Sequence, residues 1–366
     1  MAFKRWKRPE RNDTNSRNFM NVLFNPCKPI VDIIAVHGLN PLDTESHAEA
    51  TWTAGDKLWL RDFLPNQVPK ARILLFGYNA NVAFQTAAAG IREQAENLLN
   101  QLNIHRTEDP SRPLIFICHS LGGIVVKRAL VHSKADQTYE TIVKSTFGIA
   151  FLATPHRGGN HAGIGEVVAK VARSMLGNPN NTFMRALKKD SQFLDTISDD
   201  FRQLLEDFQI LSFYETQPLC YFGIVVDRKS AVLGLPGTRE KQLALEADHR
   251  SICKFSSDKD PNYQLVAENI IRMINTACSL RNRSNSSKLC SGENESACQG
   301  HLNSTFQAGN GNTNQVVGHA NKTRQFGNQN TSISNGNGNE TIQISSGALE
   351  IGPYVEMLKR LDWLSL

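Results

Sequence analysis

No apolar run among the 366 residues reaches the roughly 18 needed for a membrane-spanning helix, so none is expected. The N-terminus has no apolar h-region, which excludes a Sec signal peptide from the expectations. Cysteine is sparse. There are seven, an odd number, with no C-x-x-C pair and several inside apolar runs. That pattern argues against a disulfide framework and for a reducing, intracellular compartment rather than secretion. The net charge is only mildly positive at +5, and no basic stripe with interleaved aromatics occurs, so nucleic acid is not an expected partner. Hydrophobic residues make up 40% of the chain, and the shortage is uneven: the sequence looks globular to about residue 280 and changes character after it.

The most informative stretch runs from Leu114 to Leu130. Leu114-Ile115-Phe116-Ile117-Cys118-His119 is short, β-branched and aromatic, and reads as a buried strand. Gly122 to Leu130 reads as a buried helix. Ser120 stands at the junction, the arrangement called a nucleophile elbow. The tight turn strains the serine backbone, lifts its hydroxyl from the sheet and demands small neighbours two residues to either side. Gly122 meets that demand. Cys118 replaces the first glycine of G-x-S-x-G, a mild departure because a thiol is small and apolar.

The rest of the chain supplies an alternation. Residues 1–27 open with four cations around Phe3 and Trp6 and read as a basic, flexible tail, with weak contact on anionic lipid as the functional alternative. Ile30–Val36 is a strand ending in His37-Gly38-Leu39-Asn40; Lys57 to Leu64 is a short helix stopped by Pro65; Ala71–Tyr78 is a strand; Phe84 to Asn103 is a helix. The elbow strand and helix follow, then a strand at Phe147–Ala153. Strand and helix in turn predict an α/β fold with a mainly parallel, doubly wound sheet. Residues 160–208 carry helical patterns and read as a cap, Gln209–Thr216 as a strand, Phe222–Val226 as the last strand and Tyr263–Cys278 as a terminal helix. The expected domains are therefore 1–27, a hydrolase-type domain at 28–280, a low-complexity region at 281–346 and an apolar tail at 347–366.

A serine hydroxyl is a weak nucleophile and needs a base in hydrogen-bond reach and an acid to orient that base. On an α/β-hydrolase sheet the chain order is serine, acid, histidine. His249 is the one histidine between the downstream strands and residue 280. Glu215, at the end of a strand, is the favoured acid; Asp227, one strand later, is the alternative. Asp248 is adjacent to the histidine and poorly placed to face its ring. His119 and His156 flank the site in structural or substrate-lining positions. The backbone N–H groups of Leu39 and Leu121 would form the oxyanion hole, with Gly38 and Gly122 as the turn glycines.

These segments together carry a resemblance. His37-Gly38-Leu39-Asn40, Trp59-Leu60-Arg61-Asp62-Phe63-Leu64-Pro65, Phe76-Gly77-Tyr78, His119-Ser120-Leu121-Gly122-Gly123, Phe151-Leu152-Ala153-Thr154-Pro155-His156-Arg157-Gly158, Ser212-Phe213-Tyr214-Glu215-Thr216 and Asp248-His249-Arg250-Ser251-Ile252-Cys253-Lys254 resemble the eukaryotic serine-active-site hydrolases, including fungal SesB-like lipases, and lie near GPI inositol-deacylase-type lipases. The resemblance implies an α/β-hydrolase fold, Ser120 as nucleophile, His249 as base and Glu215 as acid. It implies hydrolysis of an ester, lipid or phospholipid, with no metal or cofactor. It further implies a cytoplasmic protein or one peripheral on a mitochondrial or endoplasmic reticulum membrane, and, because fungal members accompany nucleotide-binding immune-receptor-like proteins, an effector role in cell-death signalling.

Residues 281–346 are dominated by asparagine, glycine, serine and threonine, too polar for a core of their own, which reads as disorder. Yet Gly309-Asn310-Gly311-Asn312-Thr313 recurs as Gly327-Asn328-Gln329-Asn330-Thr331, with a looser copy at Gly336-Asn337-Gly338-Asn339-Glu340. Asparagine and glutamine ladders with sparse apolar residues suit stacked, in-register β-structure. The alternative function is then a signalling or recruitment module acting through amyloid-like assembly of these repeats, with 300–346 mediating homotypic assembly or contact with a nucleotide-binding receptor and the hydrolase activity dispensable.

Overall fold

The computed structural model describes residues 19–39, 47–78, 80, 87–157, 164–176 and 191–291, and six five-residue strands between 295 and 344. The chain divides into two compact units, Met1–Cys278 and Ser279–Leu366.

The first unit is built on a seven-stranded sheet. Its strands are β1 (Phe19–Phe24), β2 (Val31–Val36), β3 (Ala71–Gly77), β4 (Leu114–His119), β5 (Thr146–Leu152), β6 (Gln209–Glu215) and β7 (Glu240–Leu245), in the spatial order β1-β3-β2-β4-β5-β6-β7. Only β1 is antiparallel to its neighbour. β2, β3 and β4 are buried at every position, as strands covered by helices on both faces must be. One face carries α1 (Ala87–His105), α2 (Gly122–Ala135), α3 (Ile164–Leu176) and α4 (Ser191–Arg202), whose apolar residues share a core with Ile34, Phe116 and Phe151. The other face carries the Trp59 segment and α6 (Pro261–Ser291), around Trp52, Trp59, Phe255 and Tyr263. Between β6 and β7 lies the single turn α5 (Arg228–Ala231). This is the α/β-hydrolase fold, with α3 and α4 inserted where a cap was expected.

The one charge on β2, Asp32, is fully buried. It accepts from Arg72 at 2.8 and 2.9 Å, from Arg112 at 3.1 Å and from Arg106. These bonds satisfy a carboxylate that would otherwise be costly inside a sheet. They tie β2, β3, the end of α1 and the entry to β4 together at the end of the sheet away from Ser120.

Several expectations need correction. The flexible tail at 1–27 ends early: Phe19–Phe24 forms β1, and the Phe19 ring covers Gly77 so closely that an added Cβ would lie 2.6 Å from Phe19 Cε2. Lys57 to Leu64 is not one helix. Thr53–Ala54 and Lys57–Leu58 pair as a short hairpin, Trp59–Asp62 makes one helical turn, and Pro65 starts a second turn at Leu64–Gln67, in the first-turn position that tolerates proline. Phe222–Val226 is not a strand. The seventh strand is Glu240–Leu245, which pairs with β6. The terminal helix passes Cys278 and runs to Ser291, since no glycine or proline interrupts the sequence from Asn262 until Gly292. The cap helix expected at Phe183–Leu187 lies outside the described residues, as does the tail at 347–366.

In the second unit the strands are β8 (Glu295–Gln299), β9 (Ser304–Ala308), β10 (Thr313–Val317), β11 (Lys322–Phe326), β12 (Thr331–Asn335) and β13 (Glu340–Ile344). They form two parallel three-stranded sheets, β8-β10-β12 and β9-β11-β13. Glu295 pairs with Thr313 and Thr313 with Thr331; Ser304 pairs with Lys322 and Lys322 with Glu340. The chain thus coils with the 18-residue spacing of the sequence repeat. Thr305, Thr323 and Thr341 stand in register, as do Gln307, Gln325 and Gln343. Low apolar content suggested disorder, but in a coil of this kind each turn needs only its neighbours to pair its backbone.

Candidate active site

β4 delivers Ser120 at the carboxyl edge of the sheet. Its φ of 51° places a non-glycine residue in the left-handed region, the strain expected of an elbow. Two bonds hold the turn: Ser120 N–H donates to Leu152 O at 2.9 Å, and Thr154 Oγ1 donates to Ser120 O at 2.9 Å. Gly122 is dictated by close approach, since an added Cβ would lie 2.5 Å from Val36 O. Cys118 is fully buried in the helix-face core, and burial raises its thiol well above the ordinary value, so it stays protonated and unreactive.

Ser120 Oγ lies 3.0 Å from His249 Nε2, and His249 Nδ1 lies 3.2 Å from Glu215 Oε1. All three residues are buried. The Glu215 carboxylate also accepts from Val226 N–H at 2.6 Å and from Val225 N–H at 3.2 Å. Here is the reason that 222–226 is no strand: the amides of Phe222 and Gly223 close a turn on Leu219 O, and those of Val225 and Val226 serve a carboxylate rather than a neighbouring chain. His119 Nε2 donates to the His249 backbone carbonyl at 3.0 Å and so fixes the loop that carries the histidine. Asp227 lies elsewhere. It caps α5, its Oδ1 accepting from Ser230 N–H at 2.8 Å. Asp248 makes a turn with Arg250 and Ser251.

Leu121 is the N-cap of α2, where the first amides of a helix have no partner within it. Leu39 is aimed by His37, a role the sequence reading missed. Tyr78 N–H donates to His37 Nε2 at 3.2 Å, so that nitrogen carries no proton, and Nδ1–H donates to Gly38 O at 2.7 Å. Burial, with His47 nearby, holds His37 down at about 3, which keeps this neutral tautomer. In a trans peptide the C=O and the next N–H point opposite ways. Tying Gly38 O to His37 therefore turns Leu39 N–H away from the ring. Burial lowers His47 to about 4, with the nearby Leu39 carbonyl opposing the shift. A signal for this existed in the sequence, in that His37 immediately precedes Gly38, but the N–H donor on Tyr78 did not follow from it. Among the described residues no cluster of histidine, cysteine and carboxylate side chains could hold a metal ion, and no helix is long and apolar enough to cross a membrane.

Residues 32–187 match the family model described as "Putative serine esterase (DUF676)". Protein SERAC1 of Bos taurus is 28% identical over 256 residues, covering 63% of this chain and 37% of that protein. The Homo sapiens protein of that name is 29% identical over 261 residues, with 63% and 37% covered. The chain thus spans little more than a third of these relatives. Among solved structures, the lipase BlEst2 of Bacillus licheniformis aligns with a TM-score of 0.47 at 15% identity, over 68% of this chain and 98% of that one. A monoacylglycerol lipase of Paleococcus ferrophilus aligns at 0.40 and 10% identity, over 72% and 100%. The resemblance to serine-active-site hydrolases read from the motifs agrees with the matched serine esterase model and with the SERAC1 relatives.

Proposed function

We propose that this chain, whose residues 32–187 match a serine esterase family model, hydrolyses carboxylic esters of lipids, phospholipids included, through Ser120, His249 and Glu215. Ser120 Oγ attacks the ester carbonyl while its proton passes to His249 Nε2. Glu215 holds the ring through Nδ1–H and stabilises the imidazolium. The oxyanion is met by the N–H groups of Leu39 and Leu121, each such donor contributing about 2.7–4 kcal/mol to lowering the barrier. Collapse expels the alcohol, which takes the proton from His249 and leaves an acyl-serine. Water, deprotonated by His249, then releases the acid. The single observation that carries this reading is the 3.0 Å contact of Ser120 Oγ and His249 Nε2 at a residue of φ 51°. A fluorophosphonate probe tests it: wild type labels and Ser120→Ala does not. An unlabelled wild type would end the enzyme reading.

A second reading, a recruitment module, is favoured by the 18-residue parallel coil. Among the described residues β12 and β13 are end strands of their sheets, and such edges suit addition of a second copy in the same register, or of a like segment on a receptor. Signalling output that survives Ser120→Ala but not deletion of 300–346 would support it, and the converse would remove it. The finer expectations of a peripheral site on an intracellular membrane and of an immune-type effector role attach to these two readings.

A further inference from the structure

Lys127 is 0% exposed, and its Nζ has no hydrogen-bond partner. It stands one turn beyond Gly123 on α2 and so shares its face. That face presses on the chain leaving β5: a Cβ on Gly123 would lie 2.5 Å from Thr154 Cγ2. Two residues past Thr154 is His156, also buried, with both ring nitrogens unpartnered. Its backbone N–H donates to Ser230 O at 2.7 Å, and the hydroxyl of Ser230 is likewise buried and unpartnered. Phe201 lies over Lys127 with its ring centre 5.7 Å from Nζ, and Phe151 meets the His156 ring edge-on at 4.5 Å.

Native interiors leave few polar side chains without partners, and an ammonium is the costliest to leave so. Here three such groups gather, and their surroundings share one sign. Burial pushes Lys127 down to about 7, with Arg202 adding to it. Burial pushes His156 well down, with Lys127 and Arg157 adding to it. No carboxylate figures in either shift. Arg157 is committed to the carbonyls of Lys229 and Val232. What the cluster lacks is a hydrogen-bond acceptor of negative charge.

The cluster adjoins the nucleophile. Thr154 bonds to the Ser120 carbonyl, and two residues of chain span at most about 7 Å. Burial does not set it apart, because Ser120 is itself 1% exposed and must still admit an ester.

We propose that Lys127, His156 and Ser230 form a receptor for an anionic group, a phosphate or a carboxylate, and that the ester presented to Ser120 carries it. The substrate half of this rests on Ser120 being the nucleophile; the anion site does not. Lys127 Nζ, one His156 ring N–H and the Ser230 hydroxyl donate to the anion.

The test is thermal unfolding of the full chain in inorganic phosphate against chloride at matched ionic strength. Phosphate should raise Tm in wild type and equally in Ser120→Ala, since a ligand that binds the native state stabilises it. Lys127→Met should lose that rise, and Ser230→Ala, the milder variant should Lys127→Met fail to fold, should need several-fold more phosphate for the same shift. No rise in wild type, or the same rise in both variants, would overturn the site. A second arm compares two esters of one acyl chain, one with a neutral alcohol and one with a phosphate-bearing alcohol. A tenfold or greater kcat/KM preference for the phosphate ester, with inorganic phosphate competing, supports the substrate half. A Tm rise without such a preference makes free phosphate the ligand and overturns that half. Fluorophosphonate labelling of the same sample reports separately on the serine hydrolase reading.

Discussion

Glu215→Gln separates the two candidate acids. The carboxylate accepts three bonds: Val226 N–H and His249 Nδ1–H on Oε1, and Val225 N–H on Oε2. A glutamine has one oxygen and one NH2. With its oxygen toward Val226 and His249, the NH2 meets Val225 N–H, donor against donor. With the amide reversed, the NH2 donates to Nδ1, the proton moves to Nε2, and His249 no longer takes the Ser120 proton. Either way the charge that stabilises the imidazolium is gone. The loss expected is about 10³–10⁴ in kcat, the scale of an acid-to-amide change in such a triad, or about 4–5 kcal/mol. One buried donor left unsatisfied costs a further ~1–3 kcal/mol of stability. Asp227→Ala is the control: it loses a cap bond on α5, about 0.5–2 kcal/mol, and leaves the Ser120–His249–Glu215 contacts intact. The assay is hydrolysis of a soluble ester beside urea unfolding of each variant. If Asp227→Ala lowers kcat more than Glu215→Gln at equal folded fraction, the assignment of the acid is refuted.

Gly122→Ala forces a methyl against the carbonyl oxygens at the end of β2 and should lower stability by about 1–3 kcal/mol while shifting the oxyanion donors, which thermal unfolding and a loss of about 100-fold in turnover would register. Acid should weaken the fold early: His37 at about 3 and His47 at about 4 stay neutral when folded and protonate near 6.5 when unfolded, so the unfolded state binds more protons between those limits. Stability is then fully present above pH 6.5 and falls by about 1.4 kcal/mol per pH unit for each histidine as pH drops toward 4, a slope that urea midpoints would detect and a flat profile would contradict. Gln325→Pro removes an amide from the middle of β11 and should abolish any pelletable, β-rich assembly of the full chain while fluorophosphonate labelling persists; assembly undiminished by the proline would disconnect it from this coil.

The parts of the site legible in the sequence were those where one residue's demand is local. Ser120 needs a short strand before it and a helix after it, and both are written as continuous apolar runs. Gly122 needs to be small because two backbones meet there. The parts not legible were those where a residue serves something distant in the chain. Val225 and Val226 look like strand because they are β-branched and apolar, and they are buried as strand residues would be. Their amides instead close on Glu215, ten and eleven residues back. Glu240–Leu245 looks unlike a strand because its core-facing Glu240 is polar, yet that carboxylate accepts from Ser212, Leu233 and Leu235 and so is satisfied inside. The two misreadings are one event. The sheet takes β7 as its last strand, which frees the valines between to turn their backbone on the acid. A sequence that made 222–226 a true strand would spend those amides on a neighbouring strand and leave Glu215 to hold His249 with no donors behind it.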